Sequence, residues 1–166
     1  MSDNTVRIYT DGACSKNPGL GSWAAILTYQ DERKEMYGVF KHSTNNRMEI
    51  MAVIKAVEAL NDPINLDIKV EIYSDSRYVT DAFNKFWIDN WSRNGWKLAD
   101  GAPVKNQDLW KRLQISLRKY NIKFIWVRSH ANHTENNNAD NLCKLAKLLP
   151  SKEWEVDYEF QGITVF

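Results

Sequence analysis

Four carboxylates are the residues in this sequence best placed to do chemistry. Asp11 and Asp75 each stand directly after a short apolar stretch that reads as a strand. Glu49 lies near the start of an apolar helical pattern, and Asp140 follows a polar loop carrying His130 and His133. Acids gathered at one point repel one another, which is costly unless cations neutralise them. Mg²⁺ suits such a centre because it prefers hard oxygen ligands. Two such ions about 4 Å apart can bracket a scissile phosphate, one activating the attacking water and the other stabilising the leaving oxygen. Turn and cap chemistry accounts for the same acids taken singly, since Asp-Gly after a strand is a common turn and Asp opening a helix a common cap. Glu49 fits that account least, because the helix around it is apolar on most sides. Spacing alone leaves both accounts open.

The elements that must position these groups follow from periodicity. Residues 6–10 alternate apolar and polar side chains, and Asp11-Gly12 reads as the turn that ends them. Residues 22–29 and 34–40 read as two further strands around a polar tip, giving an antiparallel meander. Ser43-Thr44-Asn45-Asn46 is a cluster of cap-type residues. Met48, Met51, Ala52, Ile54, Ala56, Val57 and Leu60 then give a helix apolar around much of its surface, stopped by Asn61-Asp62-Pro63. Residues 69–74 read as a strand, with Asp75-Ser76 opening the next helix. Between 87 and 104 the pattern breaks down, and Trp87, Trp91 and Trp96 recur among Asn, Gly and basic residues. Residues 106–119 form an amphipathic helix with Leu109, Leu113 and Leu117 on one face. A strand over 122–127, a polar loop over 128–138 and a helix over 139–149, opened by Asp140 and ended by Pro150, complete the order. Such an order predicts a mixed α/β sheet flanked by helices. If the strands at 6–10 and 69–74 are parallel neighbours, Asp11 and Asp75 emerge at the same edge, where α/β sheets bind ligands.

The length suits a single domain with a real core: residues 1–150 as one catalytic domain, and 151–166 as a tail that is either an added strand or a loose end. The formal net charge is only +1, so any grip on a polyanion must come from a local patch. Cys14 and Cys143 suggest reduced thiols rather than a disulfide framework. The N-terminus carries no apolar secretory core and the apolar runs are too short to span a bilayer, so a cytoplasmic monomer without membrane contact is expected.

Five segments carry a resemblance: Tyr9-Thr10-Asp11-Gly12-Ala13, Asn17-Pro18-Gly19, Thr44-Asn45-Asn46-Arg47-Met48-Glu49, Tyr73-Ser74-Asp75-Ser76 and Trp126-Val127-Arg128-Ser129-His130-Ala131. In this order, and with Asp140 ten positions after His130, they resemble type 1 ribonuclease H, over a stretch from Val6 to about Leu149. The resemblance implies a five-stranded ribonuclease H-like sheet, three antiparallel strands followed by parallel ones. It also implies hydrolysis of the RNA strand of RNA–DNA hybrids by a two-metal-ion mechanism, leaving 5′-phosphate and 3′-hydroxyl ends. Asp11, Glu49, Asp75 and Asp140 match the family's metal-binding catalytic acids for two Mg²⁺ ions, with Mn²⁺ able to substitute. His130 matches a loop histidine that aids product release or proton transfer. Cys14 (through its backbone), Asn17 and Asn45, with Asn46 beside them, match the contacts that read the 2′-OH, the one group that tells RNA from DNA. Thr44 and Asn106 match a pocket for a phosphate of the DNA strand.

Other positions depart from the family pattern. Arg77 stands where Gln is expected, which turns a base-edge contact into a candidate phosphate contact; Tyr78 beside it is counted with the substrate-facing residues. Residues 87–104 resemble a basic handle that grips the hybrid, with Trp87, Trp91 and Lys97 as candidates, although the three Trp also suit a satellite core. Asp89, Asp100, Ser92, Gly101 and Ala102 thin its charge, so weaker and more salt-sensitive binding is expected. Asn132, Thr134 and Asn137 replace the Gly, Pro and acid usual in the His130 loop. No further hybrid-binding module is expected before Val6. Integrases, transposases and junction resolvases cluster acids similarly but lack the Thr-Asn-Asn-Arg-Met-Glu segment. A non-catalytic binding domain would be expected to have lost an acid, and the starting Met favours a free-standing enzyme over a reverse-transcriptase domain.

Overall fold

The computed structural model describes residues 4–60 and 68–161. The proposed stop at Asn61-Asp62-Pro63 and the last five residues of the tail lie outside them. Three strands, β1 (Thr5–Cys14), β2 (Gly19–Tyr29) and β3 (Glu32–Ser43), form the antiparallel meander. Helix α1 (Asn45–Glu58) leads to β4 (Lys69–Ser74), then α2 (Arg77–Asn84) and α3 (Trp87–Arg93). After these come α4 (Gln107–Leu117), β5 (Asn121–Trp126) and α5 (Thr134–Ala146). The sheet order is β3-β2-β1-β4-β5, with β1, β4 and β5 mutually parallel. The expected five-stranded mixed sheet is therefore present. Among the described residues no helix is long and apolar enough to cross a membrane.

Alternation along β2 shows how the layers form. Trp23, Ala25 and Leu27 join the main core with α1, whereas the equally buried Ala24 and Ile26 belong to the opposite face. There α5 contributes Ala139, Cys143 and Ala146, and the Cys143 thiol meets Ser22 at 3.2 Å. Both cysteines are free. Helix α1 is buried around most of its circumference, as its sequence predicts, because it packs on β1, β2 and α4 at once.

Three expectations need correction. Asp11-Gly12 is not a turn ending β1: the strand continues to Cys14, with Asp11 opposite Ala24 and Gly12 opposite Trp23. The parallel pairing to β4 does stop at Tyr9, so Asp11 remains beyond the end of that ladder. Gly12 is needed for a packing reason. A Cβ there would overlap the Met48 carbonyl carbon and the Glu49 nitrogen, and would stand 2.6 Å from the Met48 oxygen. Secondly, α5 begins at Thr134, so Asp140 sits inside the helix rather than opening it. The Asn-rich run reads as loop by propensity. Tertiary and local bonds override it: Arg33 forks onto Glu135 at 2.8 and 3.1 Å, and Asn138 donates to the same carboxylate at 2.7 Å. Thirdly, the irregular stretch from residue 87 contains the short helix α3, entered through Phe86 in the left-handed region (φ 60°).

The segment after Pro150 lies along β3. Glu155 exchanges backbone hydrogen bonds with Val39 (2.7 Å) and Lys41 (2.8 Å), forming a single parallel bridge. Lys55 donates to its carboxylate at 2.9 Å, and Asp157 is 4% exposed.

Candidate active site

Because β1 and β4 are parallel neighbours, Asp11 and Asp75 reach the same end of the sheet, and the contact at Gly12 brings the first turns of α1 onto it. Asp11, Glu49 and Asp75 each place a carboxylate oxygen within 4.8 Å of the others. Asp140 of α5 lines the same cleft as Asp11 and Asp75, and its carboxyl bears on that of Asp11. On its other side it is paired with Lys144 one turn along, at 3.0 Å.

The electrostatics separate these acids. Burial first, then the charges of Asp75 and Asp140, push Asp11 up to about 8. Burial, Asp11 and Asp75 push Glu49 well above the carboxylate range. Asp140 goes the other way: burial would raise it, but its hydrogen bonds to Lys144 and Asp11 and the charges of Lys144 and His130 hold it low. The enclosed Glu49 Oε2 has no hydrogen-bond partner. A buried oxygen without a donor is costly, and a hard divalent cation is the partner that this all-oxygen donor set fits. These residues could therefore hold such an ion.

The surroundings hold Asp75 firmly. Ser129 Oγ donates to its Oδ2 at 2.7 Å, and the Trp126 indole donates to its backbone oxygen at 3.1 Å. The guanidinium of Arg77 stands 3.9 Å from the Trp126 ring centroid, so Arg77 is exposed yet stacked beside the cluster. His130 is exposed on the loop before α5, with φ 57°, and lines the same cleft as Asp11, Asp75 and Asp140. Asn136 also lines it. Its Nδ2 donates to the Tyr73 oxygen at 3.3 Å, leaving an enclosed Oδ1 without a partner. Sequence reasoning missed Asn136 and Ser129. An Asn in a polar run gives no signal, whereas Ser129 lay inside a quoted segment and could have been singled out.

The remaining candidates fall into three groups. Exposed Asn17, Asn45 and Asn46 stand together, Asn17 Oδ1 accepting from the Asn45 backbone at 3.1 Å. Cys14, at the end of β1, points its thiol at the Ser43 oxygen, 3.2 Å away. Thr44 caps α1, accepting from the Arg47 backbone at 3.2 Å, so the cap reading and the pocket reading coexist there. Asn106 precedes α4 and donates from Nδ2 to the Tyr78 hydroxyl at 2.9 Å; the Tyr78 ring leans on Trp110. The structure separates the handle residues: half-buried Trp87 and Trp91 pack against each other and against the core that holds Trp96 and Trp110, whereas Lys97 is exposed.

The RNase H family profile matches residues 3–147. The chain is 52% identical over 139 residues to the Ribonuclease H of Rhodopseudomonas palustris (strain TIE-1), covering 84% of this chain and 86% of that protein. It is 50% identical over 144 residues to the Ribonuclease H of Nitratidesulfovibrio vulgaris (strain DP4), covering 87% and 90%. Among solved structures, it is similar to LC9-RNase H1, described as a type 1 RNase H with the type 2 active-site motif. The TM-score is 0.77 at 26% identity, over 97% of this chain and 82% of that one. With the profile spanning most of its length and relatives at half identity, the chain belongs to the RNase H family of nucleases.

Proposed function

We propose that this chain hydrolyses the RNA strand of RNA–DNA hybrids, leaving 5′-phosphate and 3′-hydroxyl ends. In this reading Asp11, Glu49, Asp75 and Asp140 hold two divalent cations, Mg²⁺ or Mn²⁺ in its place. The single observation that carries it is the convergence of three carboxylates within 4.8 Å around an enclosed, unpartnered Glu49 oxygen. Bound cations supply a more acidic water and charge stabilisation at the phosphate. The protein's own groups do the rest. Ser129 and Trp126 fix Asp75, and His130, on the loop lining the cleft, aids product release or proton transfer at the leaving side. Asn17, Asn45, Asn46 and the Cys14 backbone read the 2′-OH, and Thr44 with Asn106 takes a DNA-strand phosphate. Arg77, Tyr78, Trp87, Trp91 and Lys97 extend the grip. We place the enzyme in the cytoplasm as a monomer.

The test offers labelled hybrid, double-stranded RNA and double-stranded DNA, each with Mg²⁺ and with EDTA. Cleavage of the hybrid's RNA strand alone, abolished by EDTA and by Asp11→Asn, is expected. Cleavage of duplex DNA, or full activity in the variant, refutes the proposal.

A further inference from the structure

Arg47 is 4% exposed, and all five of its N–H donors are engaged. Nε and Nη2 fork onto the Asp157 carboxylate at 2.7 and 2.8 Å. Nη1 and Nη2 reach Asp108 at 2.9 and 2.6 Å, and the fifth donor, on Nη1, meets Asn106 Oδ1 at 3.3 Å. Ser43 Oγ closes the network by donating to Asp157 at 2.7 Å. The guanidinium plane is therefore set from both sides, by a helix-opening acid and by an acid on the segment that follows Pro150.

That plane decides which way Asn106 faces. A guanidinium can only donate, so it requires the carboxamide oxygen toward itself and turns the Nδ2 group away. One Nδ2 hydrogen goes to the Tyr78 hydroxyl, and the second meets no acceptor among the described residues, which leaves it to donate to a ligand. A flipped carboxamide would present its oxygen instead, which repels a phosphate. Thr44 is tied to the same residue, because its Oγ accepts from the Arg47 backbone N–H and keeps its own proton to donate.

We propose that Asp157 is a positioning residue: acting through Arg47, it holds the Asn106 carboxamide donor-outward and so sets the grip on a phosphate of the DNA strand. This rests on the reading of Thr44 and Asn106 as the phosphate pocket. The C-terminal segment would thus serve substrate binding without touching substrate. Losing Asp157 frees one side of the guanidinium, and the aim of the fifth donor is lost with it.

The experiment measures KM and kcat for hybrid with Mg²⁺ in wild type, Asp157→Asn, Asn106→Ala and the double variant. It is run at a temperature where circular dichroism shows each variant folded, with Ser43→Ala as a milder perturbation of the same carboxylate. Asn106→Ala should raise KM about tenfold, the loss of one charge-assisted hydrogen bond. Asp157→Asn should raise it several-fold with kcat within twofold, Ser43→Ala should move KM in the same direction, and the double variant should be no worse than Asn106→Ala. A hybrid carrying one neutral methylphosphonate in its DNA strand, scanned along the strand, should raise the wild-type KM at one position and leave that of Asp157→Asn nearly unmoved there. If Asn106→Ala raises KM but Asp157→Asn and Ser43→Ala do not, or if the effects add in the double variant, the positioning role is overturned and the pocket stands. If neither Asn106→Ala nor any methylphosphonate changes KM, the pocket reading itself fails and the positioning role fails with it.

Discussion

Without divalent cations the protein should lose stability as pH rises, and Asp11→Asn should remove the share of that loss that Asp11 contributes. An unfolded Asp titrates near 3.9, whereas burial, Asp75 and Asp140 push Asp11 up to about 8 in the fold. Between those values the folded chain keeps a proton that the unfolded chain has released. Stability is then fully present below about pH 4 and falls as pH climbs toward 8. One extra bound proton is worth about 1.4 kcal/mol per pH unit, so the step from pH 6 to pH 8 should cost about 2–3 kcal/mol. For a domain of this size that is roughly 5–10 °C in melting temperature. Glu49 is pushed in the same direction and adds to the effect. Asp108, Glu135 and Asp140 are held low, so their contributions are complete well below pH 6 and do not shape this window. The assay is thermal unfolding by circular dichroism in EDTA at pH 6, 7 and 8, repeated with excess Mg²⁺. Wild type should melt progressively lower in EDTA, Mg²⁺ should recover the loss at pH 8, and Asp11→Asn should show a shallower profile, with the part of the slope that Glu49 contributes remaining. A wild-type melting temperature that is constant or rising across this range, or an equal slope in the variant, would refute the electrostatic account of the cluster.

Three further outcomes follow from particular contacts. Asn136→Ala removes the enclosed Oδ1 in the cleft and the tie to Tyr73. Steady-state kinetics should show kcat down about tenfold, one hydrogen bond's worth, with KM unchanged; an unaltered kcat would make Asn136 a packing residue only. Gly12→Ala must push α1 off β1. Hybrid cleavage should fall about a hundredfold, as displacements near 1 Å at reacting groups do, and a variant with wild-type kcat would show that the helix has slack. Arg77→Gln removes the stacked cation beside Trp126. A phosphate contact predicts a log–log salt slope of hybrid affinity shallower by about 1, and an unchanged slope would assign Arg77 to stacking alone.

Local signals made the frame legible. The alternation of residues 6–10 and 69–74 and the wide apolar face of α1 depend on neighbours in sequence, and they suffice to bring Asp11, Asp75 and Glu49 to one end of a mixed sheet. What stayed hidden was set by partners far along the chain. The start of α5 depends on Arg33, 102 residues before Glu135, and so runs against the low helix propensity of its Asn residues. Asp11-Gly12 looks like a turn because the backbone approach of α1, the actual reason for the glycine, leaves no trace in composition. The Asp157 to Arg47 bond spans 110 positions, and an acid in a weakly patterned tail gives no hint of it. The Trp residues allowed a grip and a satellite core to be read together; their mutual packing into the main core is the part the structure adds.

The contact at Gly12 gives the cluster one rigid jaw and one adjustable jaw. Asp11 and Glu49 hang from two main chains that touch, so their separation is a property of backbone and changes only if strand and helix part. Asp140 is carried on the opposite face of the sheet by α5, and its carboxylate is tethered to Lys144. Of the two, only the outer jaw could shift to fit a cation without parting strand from helix. Residue 12 is accordingly confined to a hydrogen for a side chain, whereas nothing in the backbone fixes the outer jaw in the same way.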